Sequence, residues 1–232
     1  MTQNRLTVTT PAGSFGAYVA RPSAAKAPAV VVIQEIFGVN AVMRGICDDL
    51  AGQGYLAICP DLFWRIEPGI DITDQSDAEW KKAFELYNAF NVDAGVEDIA
   101  ATIDLIRADK QCSAKVGAVG FCLGGLLAFL TATRTDSDGS VAYYGVGIDK
   151  YLGEADRLTR PLMLHIAEED QFVPKAAQAL IIDGLKNRAQ VTIHTYPGRD
   201  HAFARKGGEH YDEVDAQTAN QRTATFFKSA LA

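Results

Sequence analysis

Residues 116–125 read Val-Gly-Ala-Val-Gly-Phe-Cys-Leu-Gly-Gly, and no other stretch narrows the fold as much. An apolar run over 116–120 reaches a single cysteine, Cys122, and passes at once into a helical pattern over 123–133. Glycines at 120 and 124 flank the cysteine, as a turn this tight requires, and Gly125 lets the following helix pack closely on the sheet. A strand that turns so sharply into a helix exposes the turn residue at the C-terminal edge of a sheet, the geometry that presents a nucleophile. The helix N-terminus favours a thiolate at that point. The alternative is a core cysteine in a glycine-rich turn. Cys47, Cys59 and Cys112 lack the flanking glycines and keep that packing role.

The rest of the chain is organised to suit such a turn. Short β-rich runs at 15–21, 29–34, 56–59, 116–120, 141–144, 162–166 and 191–196 alternate with helical periodicity at 42–53, 78–87, 95–108, 123–133, 175–186 and 216–230. Several middle strands are nearly all apolar, as strands buried on both faces are. The expectation is an α/β fold with a mostly parallel central sheet and helices on both faces, formed as one domain over residues 1–232. Residues 61–76 begin after Pro60, contain Pro68-Gly69 and show no period, so they read as an excursion over one end of the sheet.

Charge and cysteine usage exclude several classes. A net charge of −7 argues against nucleic-acid or anionic-membrane partners. The polar start, residues 1–10, has no apolar stretch of signal length, and the apolar run at 29–33 is far too short to cross a bilayer. The four cysteines form no Cys-x-x-Cys pair, which fits neither a disulfide framework nor a zinc site. The reading is a cytoplasmic monomer in a reducing environment that works on a small molecule and carries no zinc site.

A cysteine nucleophile needs a base and an acid, which in this kind of fold follow it along the chain as acid and then histidine. Asp170 follows the strand at 162–166, and His201 follows the strand at 191–196, so both fall at C-terminal strand ends beside Cys122. Glu168, Glu169 and Asp200 are alternative acids. His165 and His194 lie inside strands and His210 in a polar, exposed stretch, which leaves His201 as the base.

With these residues placed, the chain resembles the dienelactone hydrolase family (carboxymethylenebutenolidases) over nearly its whole length. The resemblance rests on Gln34-Glu35-Ile36-Phe37-Gly38, Cys59-Pro60-Asp61-Leu62, Gly120-Phe121-Cys122-Leu123-Gly124-Gly125, Tyr143-Tyr144-Gly145-Val146-Gly147 and His201-Ala202-Phe203. It implies an α/β-hydrolase fold and opening of a carboxylate-bearing enol-lactone in the breakdown of aromatic compounds. It further implies that Glu35 interacts with the resting thiol, that the Ile36 and Leu123 amides form the oxyanion hole, and that Arg205 binds the substrate carboxylate. Phe37, Tyr144 and Phe203 would line the pocket. The pattern departs at Trp80, where the family's second carboxylate-binding arginine is expected, and at Phe84, where relatives carry tyrosine. Lys81 or Lys82 could substitute only as a point charge without the planar fork of a guanidinium.

The implied cycle is acyl transfer through a thioester on Cys122, resolved by water that His201 activates. A thiolate leaves a tetrahedral intermediate more readily than an ordinary alkoxide. Forward reaction therefore requires an oxygen leaving group as good as an enolate or phenolate.

Overall fold

The structure, a computed structural model, describes residues 4–232. Eight strands form one sheet in the order β1-β2-β4-β3-β5-β6-β7-β8, where β1 is Arg5–Thr10, β2 Gly13–Ala20, β3 Ala27–Ile33, β4 Leu56–Pro60, β5 Cys112–Phe121, β6 Gly139–Tyr143, β7 Leu162–Ala167 and β8 Val191–Tyr196. The pairs β3–β4, β6–β7 and β7–β8 are parallel, and β1–β2 and β2–β4 are antiparallel. The chain divides into two compact units, one ending at Gly117 and the other beginning at Ala118.

In the first unit, β3 (Ala-Pro-Ala-Val-Val-Val-Ile) and β4 (Leu-Ala-Ile-Cys-Pro) are almost wholly buried, which accounts for their unbroken apolar sequences. β1 and β2 alternate instead, with one face solvated. Helix α1, Ala41–Gly52, starts where Asn40 Oδ1 accepts the N–H groups of Val42 and Met43. Helix α2, Asp77–Ala89, is capped by Ser76, and Glu79 reaches back to the Ser76 hydroxyl and the Thr73 N–H. Asn91 caps α3, Val92–Arg107, through the Ala94 N–H. The excursion over 61–76 is tied down by Asp61, whose two oxygens accept the N–H groups of Phe63 and Gly69.

In the second unit, α4, Leu123–Arg134, is buried from Leu123 to Thr133, so its sequence is apolar on every face. A 3₁₀ segment, Ile148–Arg157, follows β6. Helix α5, Lys175–Leu185, follows β7, and α6, Glu213–Ala230, closes the chain.

The α/β architecture expected from the sequence is present. Two elements were not foreseen. Strand β1 has only Leu6 and Val8 as apolar residues and a largely solvated face, which gives a weak periodic signal. The 3₁₀ segment is short, carries five charged residues and buries only Ile148 and Ala155. Strand β5 also starts four residues earlier than the apolar run, at Cys112, and carries Ala114 at a φ of 74°.

Candidate active site

Cys122 occupies the junction between β5 and α4 with φ 58° and ψ −116°, a conformation that an L-residue adopts at a cost of about 1–3 kcal/mol. The surroundings enforce it. Its N–H donates to the Tyr143 carbonyl at 3.1 Å, and its own carbonyl accepts the N–H groups of Gly125 at 2.9 Å and Val146 at 3.3 Å. A β-carbon on Gly120 would lie 1.8 Å from the Gly124 carbonyl oxygen. One on Gly125 would lie 2.5 Å from the Tyr143 oxygen and 2.7 Å from the Gly145 α-carbon. Gly120 therefore makes room for the next turn of backbone. Leu123 opens α4, where helix amides have no acceptor within the helix.

Asp170 lies in the loop after β7 and is 5% exposed. Its Oδ1 accepts the N–H groups of Phe172 at 2.8 Å and Val173 at 3.1 Å, and its Oδ2 lies 2.8 Å from His201 Nδ1. His201 lies in the loop after β8, 3% exposed, with the rings of Tyr144 and Phe172 edge-on to it at 5.1 and 4.9 Å. With Nδ1 committed to Asp170, the second ring nitrogen, Nε2, is buried and makes no hydrogen bond. Burial works against the imidazolium, but the charge of the Cys122 sulfur and the Asp170 hydrogen bond outweigh it and push the pKa up to about 10. Because Nε2 lacks hydrogen-bond geometry, the sulfur acts on it chiefly through charge. The structure thus brings Cys122, Asp170 and His201 into mutual influence.

Two of the alternative acids are otherwise engaged. Glu169 is exposed and pairs with Lys175 at 2.9 Å, while Asp200 binds backbone amides. His165 is fully buried between the Tyr196 hydroxyl at 2.7 Å and Thr223 Oγ1 at 3.0 Å, and burial holds it neutral. His194 is half-buried and stacks on His165, and His210 is half-buried where the sequence suggested exposure.

Around these three residues, Tyr144 adopts a φ of 37°, and Phe203 is fully buried between the rings of Tyr144 at 5.8 Å and Tyr196 at 4.6 Å. Arg205 is buried, 7% exposed, rather than solvated, at the end of a turn in which its N–H donates to the Ala202 carbonyl. Phe172 and Gln178 were not singled out from the sequence. Phe172 packs on His201, and Gln178 Nε2 ties the Asp170 loop by donating to the carbonyls of Glu168 and Val173. The legible signal for Phe172 was an aromatic residue two places after Asp170.

In the first unit, Glu35 and Ile36 are buried just after β3. Gln34 fixes that turn, accepting the Leu62 N–H at 3.0 Å and donating to the Glu35 carbonyl at 3.3 Å. Phe37, Trp80 and Phe84 form an aromatic ladder, with Trp80 edge-on to Phe37 at 5.1 Å and stacked on Phe84 at 5.6 Å. Trp80 Nε1 donates to the Asp74 carbonyl at 3.0 Å, and Phe84 is 40% exposed. Lys81 is exposed and Lys82 pairs with Glu67. Among the described residues no group of three or more His, Cys, Asp or Glu side chains is arranged to hold a metal ion, and all four cysteines are free.

Residues 15–231 match the family described as the dienelactone hydrolase family. The chain is 51% identical to a protein of Azospirillum brasilense provisionally named a carboxymethylenebutenolidase, covering 94% of this chain and 95% of that one. It is 41% identical to a carboxymethylenebutenolidase of Pseudomonas putida, covering 92% and 90%. Among solved structures, one provisionally titled a dienelactone hydrolase, from Klebsiella pneumoniae, superposes with a TM-score of 0.83 at 27% identity, covering 97% of each chain.

Proposed function

The chain belongs to the dienelactone hydrolase family, hydrolases of ester and lactone bonds, and from that premise we propose that it opens a carboxylate-bearing enol-lactone through a Cys122–His201–Asp170 triad. The observation that carries the proposal is the buried Asp170–His201 contact of 2.8 Å, held beside a cysteine whose backbone is forced to positive φ at a helix N-terminus.

The Cys122 sulfur attacks the lactone carbonyl carbon as a thiolate, forming a C–S bond and an oxyanion. Leu123, whose N–H opens α4, supplies one donor for that charge, and the family resemblance assigns the other to Ile36. Collapse breaks the ring C–O bond, and the enolate oxygen takes the proton held on His201 Nε2. The ring, now neutral, accepts a proton from water as the water oxygen attacks the thioester. The C–S bond breaks, the carboxylic acid departs, and the thiolate–imidazolium pair is restored. Asp170 holds Nδ1–H throughout and stabilises the charged ring. Buried Arg205 is the proposed partner of the substrate carboxylate, with Tyr144 and Phe203 lining the pocket. Glu35, Phe37, Trp80, Lys81 and Phe84 enter the proposal on the family resemblance.

The proposed setting is a cytoplasmic monomer in aromatic-compound degradation, needing no metal or cofactor. Four free cysteines and the acidic net charge support a reducing location without nucleic acid, and no helix of the described residues is long and apolar enough to cross a membrane.

A second reading has its own observation. The aromatic ladder at Trp80 stands where an arginine is expected, so a broader esterase or thioesterase acting on activated, less acidic esters is the alternative. Parallel assays of wild type and Cys122→Ser on a carboxylated dienelactone and a neutral aryl acetate separate the two. Fast turnover of the dienelactone that needs Cys122 supports the first reading. Turnover of the aryl acetate alone supports the second, and turnover of neither overturns both.

A further inference from the structure

Asp200 precedes the base, and the reaction above gives it no part. Its side chain is nonetheless committed. One oxygen, Oδ1, accepts the N–H of His201 at 2.6 Å and also the N–H of Gln171, the residue after Asp170, at 3.1 Å. The other oxygen faces His210 Nε2 at 3.7 Å. The ring nitrogen Nδ1 of His201 has Asp170 as its partner, so Asp200 is no spare acid.

The position of these two amides is informative. Strands β7 and β8 pair in register up to Ala167 opposite Tyr196. Two further backbone bonds continue the ladder, Glu168 N–H to the Tyr196 carbonyl at 3.1 Å and Glu169 N–H to the Arg199 carbonyl at 2.8 Å. There the main-chain pairing ends, one residue short of the acid. Just beyond the base, Ala202 turns at a φ of 63°, a strained conformation that needs its neighbours to hold it.

We propose that Asp200 is a positioning residue that extends the β7–β8 ladder by one side-chain rung, clamping the acid loop to the base loop so that Asp170 and His201 keep their contact. The clamp uses one accepting oxygen shared by two amides. Charge strengthens it, but the geometry requires only an acceptor at that point. Errors of an ångström in such contacts cost rate rather than affinity.

The test compares wild type, Asp200→Ala, Asp200→Asn and Asp200→Ser by steady-state kinetics on an aryl acetate, by NMR titration of the His201 ring and by thermal melting. Asp200→Ala is expected to lower kcat about tenfold with KM within about twofold. In the same variant the His201 titration should move down, because the Asp170 contact that raises it loosens. Asp200→Asn restores both, since its amide oxygen accepts the same two N–H groups. If Asp200→Ala does not fold, Asp200→Ser, with a shorter reach, should fall between wild type and an open clamp. The proposal is overturned if an alanine or serine variant that folds leaves both kcat and the His201 titration unchanged. Equal losses in Asp200→Asn and Asp200→Ala also overturn it, by assigning the effect to charge.

The inference rests on the triad reading, and the two can fail separately. Turnover independent of Cys122, with His201 still shifted in Asp200→Ala, sinks the triad and keeps the clamp. Cys122-dependent turnover with His201 unmoved keeps the triad and sinks the clamp.

Discussion

Gly120→Ala should damage the protein out of proportion to one methyl group. The added carbon would stand 1.8 Å from the Gly124 oxygen and 2.4 Å from its carbonyl carbon, well inside any contact real β-carbons make. The obstacle is backbone, so no rotamer change relieves it. Either the elbow opens, with loss of the Cys122 conformation, or α4 shifts against the sheet. Overpacking of this kind costs about 3 kcal/mol or more, which for a chain of this size is a fall in Tm of about 6–12 °C. The matched control is Gly45→Ala in the middle of α1, where the new β-carbon meets nothing within 4 Å. There alanine should stabilise by about 0.5–1 kcal/mol through helix propensity. Calorimetric scans of the two variants beside wild type make the comparison, with aryl ester turnover measured on the same samples. Gly120→Ala should melt early and lose most activity, and Gly45→Ala should melt slightly late and stay active. A Gly120→Ala protein that melts within about 1 °C of wild type with full activity would refute the packing argument.

Three further outcomes follow from the site. Asp170→Asn should lower kcat by about 10³–10⁴ with little change in KM, because the amide favours the wrong tautomer and removes the charge that stabilises the imidazolium; stopped-flow kinetics on an activated ester reads this. His201 should hold its proton well above neutrality, and in Cys122→Ala its titration should fall, since the sulfur is the largest influence raising it. A folded-state value raised from 6.5 to about 10 gives a stabilisation that is full below pH 6.5 and is lost as pH climbs through 10, so urea midpoints of wild type should decline over that window and those of Cys122→Ala less so. Arg205→Ala should erase any preference for carboxylated over neutral aryl esters while leaving neutral ester turnover within about threefold; an unchanged ratio of kcat/KM values assigns carboxylate recognition elsewhere.

Much of this candidate site's geometry was legible in the sequence because the elbow is a backbone constraint. Glycines at 120 and 125 have no room for a β-carbon, and that requirement shows in the sequence as directly as in space. Asp170 and His201 were legible through order, each falling in a loop just after a strand. Arg205 was less so: a charged residue four places after His201 gives no local sign that it is buried. Phe172 and Asp200 were not recognised in their present roles, because contacts to a ring edge and to loop amides follow from how two loops meet rather than from any periodicity. Strand β1 escaped for a related reason. It is held mainly by backbone pairing to β2 and buries little apolar surface of its own.

Rapid-quench intact-mass measurement during turnover of an activated ester shows whether Cys122 carries the acyl group. The expected result is a transient mass increase equal to the acyl group, mapped to the peptide containing Cys122, and its absence with loss of turnover in Cys122→Ala. Steady hydrolysis by Cys122→Ala, or an acyl group mapped to a different residue in wild type, would contradict it.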